Sequence, residues 1–241
     1  LTVPHIWRSK CFAEYQVVDP AHVLKIPNDI DIHYLLMAQQ LGTVIFAAKR
    51  LSSVRGLTCV VVGQGSAGIF WNFLLRRMGA DRIITVDPIV ERRNIGKNFG
   101  ATHAIDVISD NATKAVMDLT NGEGADVVIE AVGSTTTLNQ VLHLVRQGGQ
   151  IVLFGLPVSK NPVPFDFSTF FVRCVNAFSI LGSQDEPGLV SFNQAVDLIV
   201  SGEIDVGQII THKFSIEKIS EAFQLARIRE DGVMKIALNF S

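Results

Sequence analysis

Little of this 241-residue chain is charged. Asp, Glu, Lys and Arg make up 18% of it and leave a formal net charge of −2, where an average soluble protein carries roughly 25%. A binder of nucleic acid or of an anionic membrane concentrates lysine and arginine, so this balance argues against both partners. Cysteine is scarce. Cys11, Cys59 and Cys174 are odd in number and far apart, which excludes a Cys-rich zinc site within the chain and suits a reducing compartment, the cytoplasm. Mean hydropathy is positive, yet no long apolar run is present. The most apolar stretch, 58–75, is interrupted by Gly63, Gln64, Gly65, Ser66, Gly68 and Asn72, where a membrane span needs about 20 apolar residues in succession. The opening LTVPHIWRSK has no apolar core of a secretory signal. His5, His22, His33, His103, His143 and His212 show no metal-ligand spacing and read as structural histidines. Disorder is excluded by an apolar content of 48%, ample to offset chain entropy.

What is present is alternation. Short β-branched runs at 58–62, 83–86, 103–106, 126–130, 150–154 and 177–181 read as strands. Helical patterns at 66–78, 90–99, 112–119, 138–145 and 192–200 fall between or after them. The first strand, TCVVV, is apolar enough to be buried on both faces, as strands of a parallel sheet are. The repetition predicts an α/β fold: a doubly wound, parallel, six-stranded sheet of Rossmann type. The two ends fit this repeat poorly. Segments 12–18 and 23–26 look like strands of something else, and 235–240 is again strand-like.

Residues 63–68 read Gly-Gln-Gly-Ser-Ala-Gly, a G-x-G-x-x-G between a strand and a helix. That context gives each residue type a physical task. Gly63 allows the tight turn, Gly65 lets backbone approach a diphosphate, and Gly68 lets the helix pack close on the sheet. The N–H groups at the helix start, at Ser66 and Ala67, then face phosphate with the dipole helping. Asp87 ends the second strand, 19 positions beyond Gly68, where a carboxylate accepts hydrogen bonds from ribose hydroxyls and repels a 2′-phosphate. NAD is therefore expected over NADP. Arg92 is close enough in sequence to reach the same ribose.

Several segments together resemble the medium-chain, zinc-type alcohol dehydrogenases, the polyol and threonine dehydrogenase branches included. They are CFAEYQVVDPAHVLKIP, MAQQLGTV, VVVGQGSAG, MGADRIITVD, FGATHAID, NGEGADVVIEAVG, GGQIVLFGLP and IITHKF. Zinc-free quinone reductases of that superfamily usually lack the first loop glycine, so Gly63 points to the zinc-type branch. The resemblance implies an oxidoreductase passing hydride between a small alcohol and NAD(H). It places Thr43, Val132, Gly133, Gly155, Leu156 and Gly182 beside the cofactor, mostly through backbone or packing. It also implies a homodimer seam along the sixth strand, between Val175 and Leu181.

By the same resemblance, residues 1–30 are the tail of a GroES-like catalytic domain, 31–207 the NAD-binding domain, and 208–241 a C-terminal return to the catalytic domain. The family's zinc ligands and proton-relay hydroxyl lie mostly ahead of the segment matched here, so zinc is expected only in a full-length parent. One ligand position, Glu or Cys in many members, is Gln39 here, and a neutral amide is a poor zinc donor. No catalytic residue is assigned to this chain. The alternatives are a non-catalytic NAD-binding dimerisation module and a zinc-independent oxidoreductase of the same superfamily. Trp71 and Asn72, early in the loop helix, depart from the family's small residues, and Trp71 is expected to be half exposed or to pack on a partner.

Overall fold

The computed structural model describes residue 13 and residues 15–26, 30–108, 110–183, 186–228 and 232–240. The chain divides into two compact units. One is Arg50–Leu181; the other joins the described parts of Leu1–Lys49 and Gly182–Ser241. In the second unit, α1 (Ile32–Leu35) starts where the Asp31 carboxylate accepts the His33 N–H, and α2 (Ala38–Ala48) follows.

The unit Arg50–Leu181 carries the alternation. Its elements are β1 (Thr58–Val62), α3 (Ser66–Arg77), β2 (Arg82–Val86), α4 (Val90–Asn98), β3 (His103–Ile105), α5 (Ala112–Leu119), β4 (Ala125–Glu130), α6 (Thr135–Leu144), β5 (Val145–Leu153), α7 (Phe167–Val172) and β6 (Asn176–Ser179). The strands form one parallel six-stranded sheet in the order β3-β2-β1-β4-β5-β6. This is the doubly wound Rossmann order that the sequence predicts. Side chains alternate between faces along a strand. Val60 and Val62 join Ile84, Val128 and Ile151 in a cluster with Val116, Val141 and Leu142, so Cys59 and Val61 face the opposite layer. Burying such aliphatic side chains contributes about 1.5–3 kcal/mol each. Asp126 fastens the near end of the sheet: its carboxylate accepts the Thr58 N–H at 2.9 Å and Arg146 Nε at 2.7 Å.

The remaining elements belong to the second unit: α8 (Val190–Val200), β7 (Ile210–Ser215), α9 (Ile219–Ile228) and β8 (Lys235–Asn239). β7 and β8 pair in parallel. There α2 lies so close along α8 that a Cβ added at Gly42 would sit 3.0 Å from Phe192 Cα. Among the described residues no helix is long and apolar enough to cross a membrane.

Several expectations need correction. Among the described residues of the segments read as strands at 12–18 and 23–26, no extended strand forms. Phe12 and Glu14 lie outside the described residues, residues 15–19 are irregular, and of 23–26 only Val23 makes a bridge. The cause is local: Pro20 opens a single 3-10 turn, Pro20–His22, and the Asp19 carboxylate caps it. Helix α6 begins at Thr135 rather than 138, because the Ser134 hydroxyl accepts the Thr137 N–H and caps it. The next strand then starts at Val145 rather than 150, with a register shift against β4. The sixth strand is shorter than the 177–181 reading, ending at Ser179.

Cys59 lies in the buried layer, and burial, aided by the nearby Asp126 charge, pushes its thiol up from 9.0 to about 12. The unfolded chain ionises this thiol first, so any stability it supports falls as pH rises from about 9 toward 12. With a disulfide reagent at pH 8, exposed Cys174 should react within the native protein, and Cys59 only after denaturant is added. Equal rates at both would contradict the buried placement.

Candidate functional site

The strand order reverses between β1 and β4, since the chain builds β2 and β3 on one side and β5 and β6 on the other. In open α/β sheets the crevice for a ligand forms beyond the carboxyl ends of the strands at that point. Here it is made by the turn after β1. Gly63 holds φ +93°, a left-handed conformation that favours glycine. Its N–H donates to the Val86 carbonyl at 2.8 Å, and a Cβ on it would meet Val132 Cγ2 at 2.6 Å. Gly68 lies against the turn itself, where a Cβ would come 1.9 Å from the Gly63 carbonyl oxygen. Gly65 differs from both: a Cβ there would meet nothing within 4 Å. It is the N-cap residue of α3, and no side chain caps that helix. The open space thus coincides with the positive end of a helix dipole.

Asp87 stands beside this turn, just after β2, and is 5% exposed. Its Oδ2 accepts the Gln64 N–H at 2.7 Å and its Oδ1 the Ile89 N–H at 2.8 Å. The carboxylate therefore ties the second residue of the glycine loop to the end of β2. Arg92 is half-buried on α4. Its neighbour Arg93, which the sequence reading passed over, donates from Nη1 to the Asp87 carbonyl at 2.6 Å and from Nη2 to Asp106 Oδ2 at 2.9 Å. The signal for it was a second acidic strand end, at Asp106, opposite an arginine one helical turn into α4.

Behind the turn is a buried polar cluster. Gln64 and Asn72 are fully buried. Asn72 Nδ2 donates to Gln64 Oε1 at 2.7 Å, and Gln64 Nε2 donates to the Gly63 carbonyl at 3.2 Å. Gly96 of α4 completes it, since a Cβ there would sit 2.5 Å from Gln64 Oε1. This explains Asn72, which joins the loop, its helix and α4. Trp71 does not behave as the sequence reading expected. It is fully buried and meets Phe154 edge-on, with centroids 5.7 Å apart at 88°.

The loops after β4 and β5 touch through their backbones. Gly133 holds φ +85°, and a Cβ on it would meet the Leu156 carbonyl oxygen at 1.9 Å. A Cβ on Gly155 would meet the Gly133 nitrogen at 2.2 Å. Val132 and Leu156 turn apolar side chains outward from these loops. The structure thus brings together Gly63, Gly65, Ser66, Ala67, Gly68 and Asp87 around one turn, with Val132, Gly133, Gly155 and Leu156 at the neighbouring strand ends. Thr43 and Gly182 belong to the other unit. Thr43 lies on α2, where its hydroxyl donates to the Gln39 carbonyl at 3.1 Å and accepts from Gln39 Nε2 at 3.3 Å.

Two ligands can be tested against these residues. The open space over Gly65, the uncapped start of α3 and the Asp87 carboxylate fit a dinucleotide. Zinc does not fit: among the described residues no three His, Cys, Asp or Glu side chains are grouped to hold a metal ion.

Comparison with known proteins agrees with the fold. L-threonine 3-dehydrogenase of Pyrococcus furiosus is 31% identical over 92% of this chain and 62% of that enzyme. The enzyme of the same name from Bacillus subtilis is 30% identical with the same coverage. The chain therefore spans about 62% of the length of these relatives. Among solved structures, an alcohol dehydrogenase of Thermotoga maritima superposes with a TM-score of 0.78 at 27% identity, over 89% of this chain and 59% of that one. A zinc-binding dehydrogenase of Sinorhizobium meliloti, bound to NADP, shares the fold with a TM-score of 0.82 at 23% identity, over 94% of this chain and 65% of that one. Residues 67–201 match the family described as zinc-binding dehydrogenase, and the chain belongs to that family.

Proposed function

We propose that this chain is the cofactor-binding part of an NAD-dependent alcohol or polyol dehydrogenase. The observation that carries the reading is the glycine turn: open over Gly65, closed at Gly63 and Gly68, and flanked by the Asp87 carboxylate. In this reading the N–H groups at Ser66 and Ala67 face the diphosphate. Asp87 and Arg92 take the adenosine ribose, and Asp87 rejects a 2′-phosphate by charge. Val132, Gly133, Gly155 and Leu156 line the nicotinamide. Bound NAD supplies the carbon that accepts hydride from the alcohol. This chain's residues bind and orient the cofactor and exclude water around it. Because the described side chains do not fit a zinc ion, no step is assigned to a metal here.

We also propose a homodimer joined along the sixth strand. β6 ends the strand order, and its residues are mostly exposed. Among the described residues no strand pairs with its outer edge, which supports a seam along 175–181.

Two measurements test the reading. In calorimetric titration NADH should bind, and NADPH should bind at least about tenfold more weakly, a difference of about 1.4 kcal/mol. Equal or tighter NADPH binding would overturn the role given to Asp87. The loop glycines give the second test. Gly65→Ala should cost less than about 1 kcal/mol of stability, since it only alters a helix N-cap, yet weaken NADH at least about tenfold by filling the space over the turn. Gly68→Ala should cost about 3 kcal/mol or more, because the clashing atom is a backbone oxygen. Unchanged NADH affinity in Gly65→Ala would place the diphosphate elsewhere.

A further inference from the structure

Glu130 is the last residue of β4, between Val62 of β1 and Leu153 of β5 in register. It is 2% exposed. The residues before it, Val127, Val128 and Ile129, are apolar and buried, and an apolar side chain would continue that run without loss. Burying a carboxylate instead costs several kcal/mol unless its oxygens are satisfied. Here Oε1 takes three hydrogen bonds, from the Val132 N–H at 2.9 Å, the Gly133 N–H at 2.9 Å and the Thr137 hydroxyl at 2.8 Å. Thr137 in turn is held by Ser134, the N-cap of α6. Oε2 lies on the other side, against Gly155, where a Cβ would sit 2.7 Å away. The Glu130 carbonyl accepts the Phe154 and Gly155 N–H groups at 2.9 and 2.8 Å. One residue thus fastens the loop after β4, the first turn of α6 and the loop after β5.

We infer that Glu130 is a positioning residue for the nicotinamide half of the cofactor: its carboxylate shapes the Val132–Gly133 and Gly155–Leu156 loops into the face on which that half rests. The inference rests on the function proposed above. It separates the two ends of the ligand, because the adenine end contacts Asp87 and the glycine turn, which Glu130 does not bond.

The test compares NADH with ADP, which lacks the nicotinamide, by calorimetry on the full chain. Glu130→Ala should weaken NADH at least about tenfold and leave ADP within about twofold. Glu130→Gln retains an acceptor oxygen for the Val132 and Gly133 N–H groups and should recover most of the NADH affinity. Thr137→Val removes one of the three bonds while the carboxylate stays paired. It should weaken NADH about two- to fivefold with ADP unchanged, and it decides the matter should Glu130→Ala fail to fold. Amide hydrogen exchange adds a ligand-free readout, with faster exchange expected at Val132 and Gly133 in the alanine variant. Equal weakening of NADH and ADP would reduce Glu130 to a stability role, and unchanged NADH affinity in Thr137→Val or Glu130→Ala would overturn the inference outright. A wild-type chain that binds ADP and NADH equally would refute the inference and leave the cofactor reading standing, whereas one that binds neither would refute the cofactor reading and the inference with it.

Discussion

The contact between the start of α3 and the end of β1 constrains everything around it. With Gly68 so close to the Gly63 carbonyl that no Cβ fits between them, the helix begins almost on top of the strand. That closeness aims the helix start at the gap where the strand order reverses. At that point it also leaves no room for a side chain between helix and strand, so the loop shape is fixed from the flanks. Asp87 does this on the β2 side by taking the Gln64 N–H. The Gln64–Asn72 pair does it from beneath.

A common device recurs along the carboxyl edge of the sheet. Acidic residues at or just beyond the strand ends turn their oxygens onto backbone N–H groups of the following loop. Asp87 binds Ile89, Asp106 binds Ile108, and Glu130 binds Val132 and Gly133. Each carboxylate satisfies donors that the end of a strand leaves unpaired, and each bond to a charged acceptor is stronger than a neutral one. Rigid loops at that edge let a site present backbone rather than flexible side chains. The cost is visible in the same region, where Asn72 Oδ1 and Trp71 Nε1 are buried without a partner, each at about 1–3 kcal/mol.

The central repeat was legible because its strands are buried on both faces. TCVVV and DVVIE admit few other readings, and Ala112–Leu119 matched because Asn111 and the Asn121-Gly122 turn mark its ends. The glycine turn was legible for the same reason, as its spacing only makes sense between a strand and a helix. Other features depended on contacts that sequence distance hides. Trp71 looked like a surface residue until Phe154 was found against it. Arg92 drew attention for its distance from Asp87, while its neighbour Arg93 makes the Asp106 pair. Glu130 was read only as part of the strand at 126–130, although it repeats the acidic strand end that made Asp87 stand out. The alternation at 12–18 and 23–26 suggested strands, and between them Pro20 with the Asp19 cap makes a turn.

The central claim is that a dinucleotide rests against the start of α3 with its adenosine ribose at Asp87. The most direct measurement is a two-dimensional NMR titration of the labelled chain with NADH. The account predicts saturable shifts at the amides of Gly63, Gln64, Gly65 and Ser66 and at Asp87, with far smaller changes at Thr58, at the opposite end of β1. Saturation of the titration with those loop amides unmoved would contradict it.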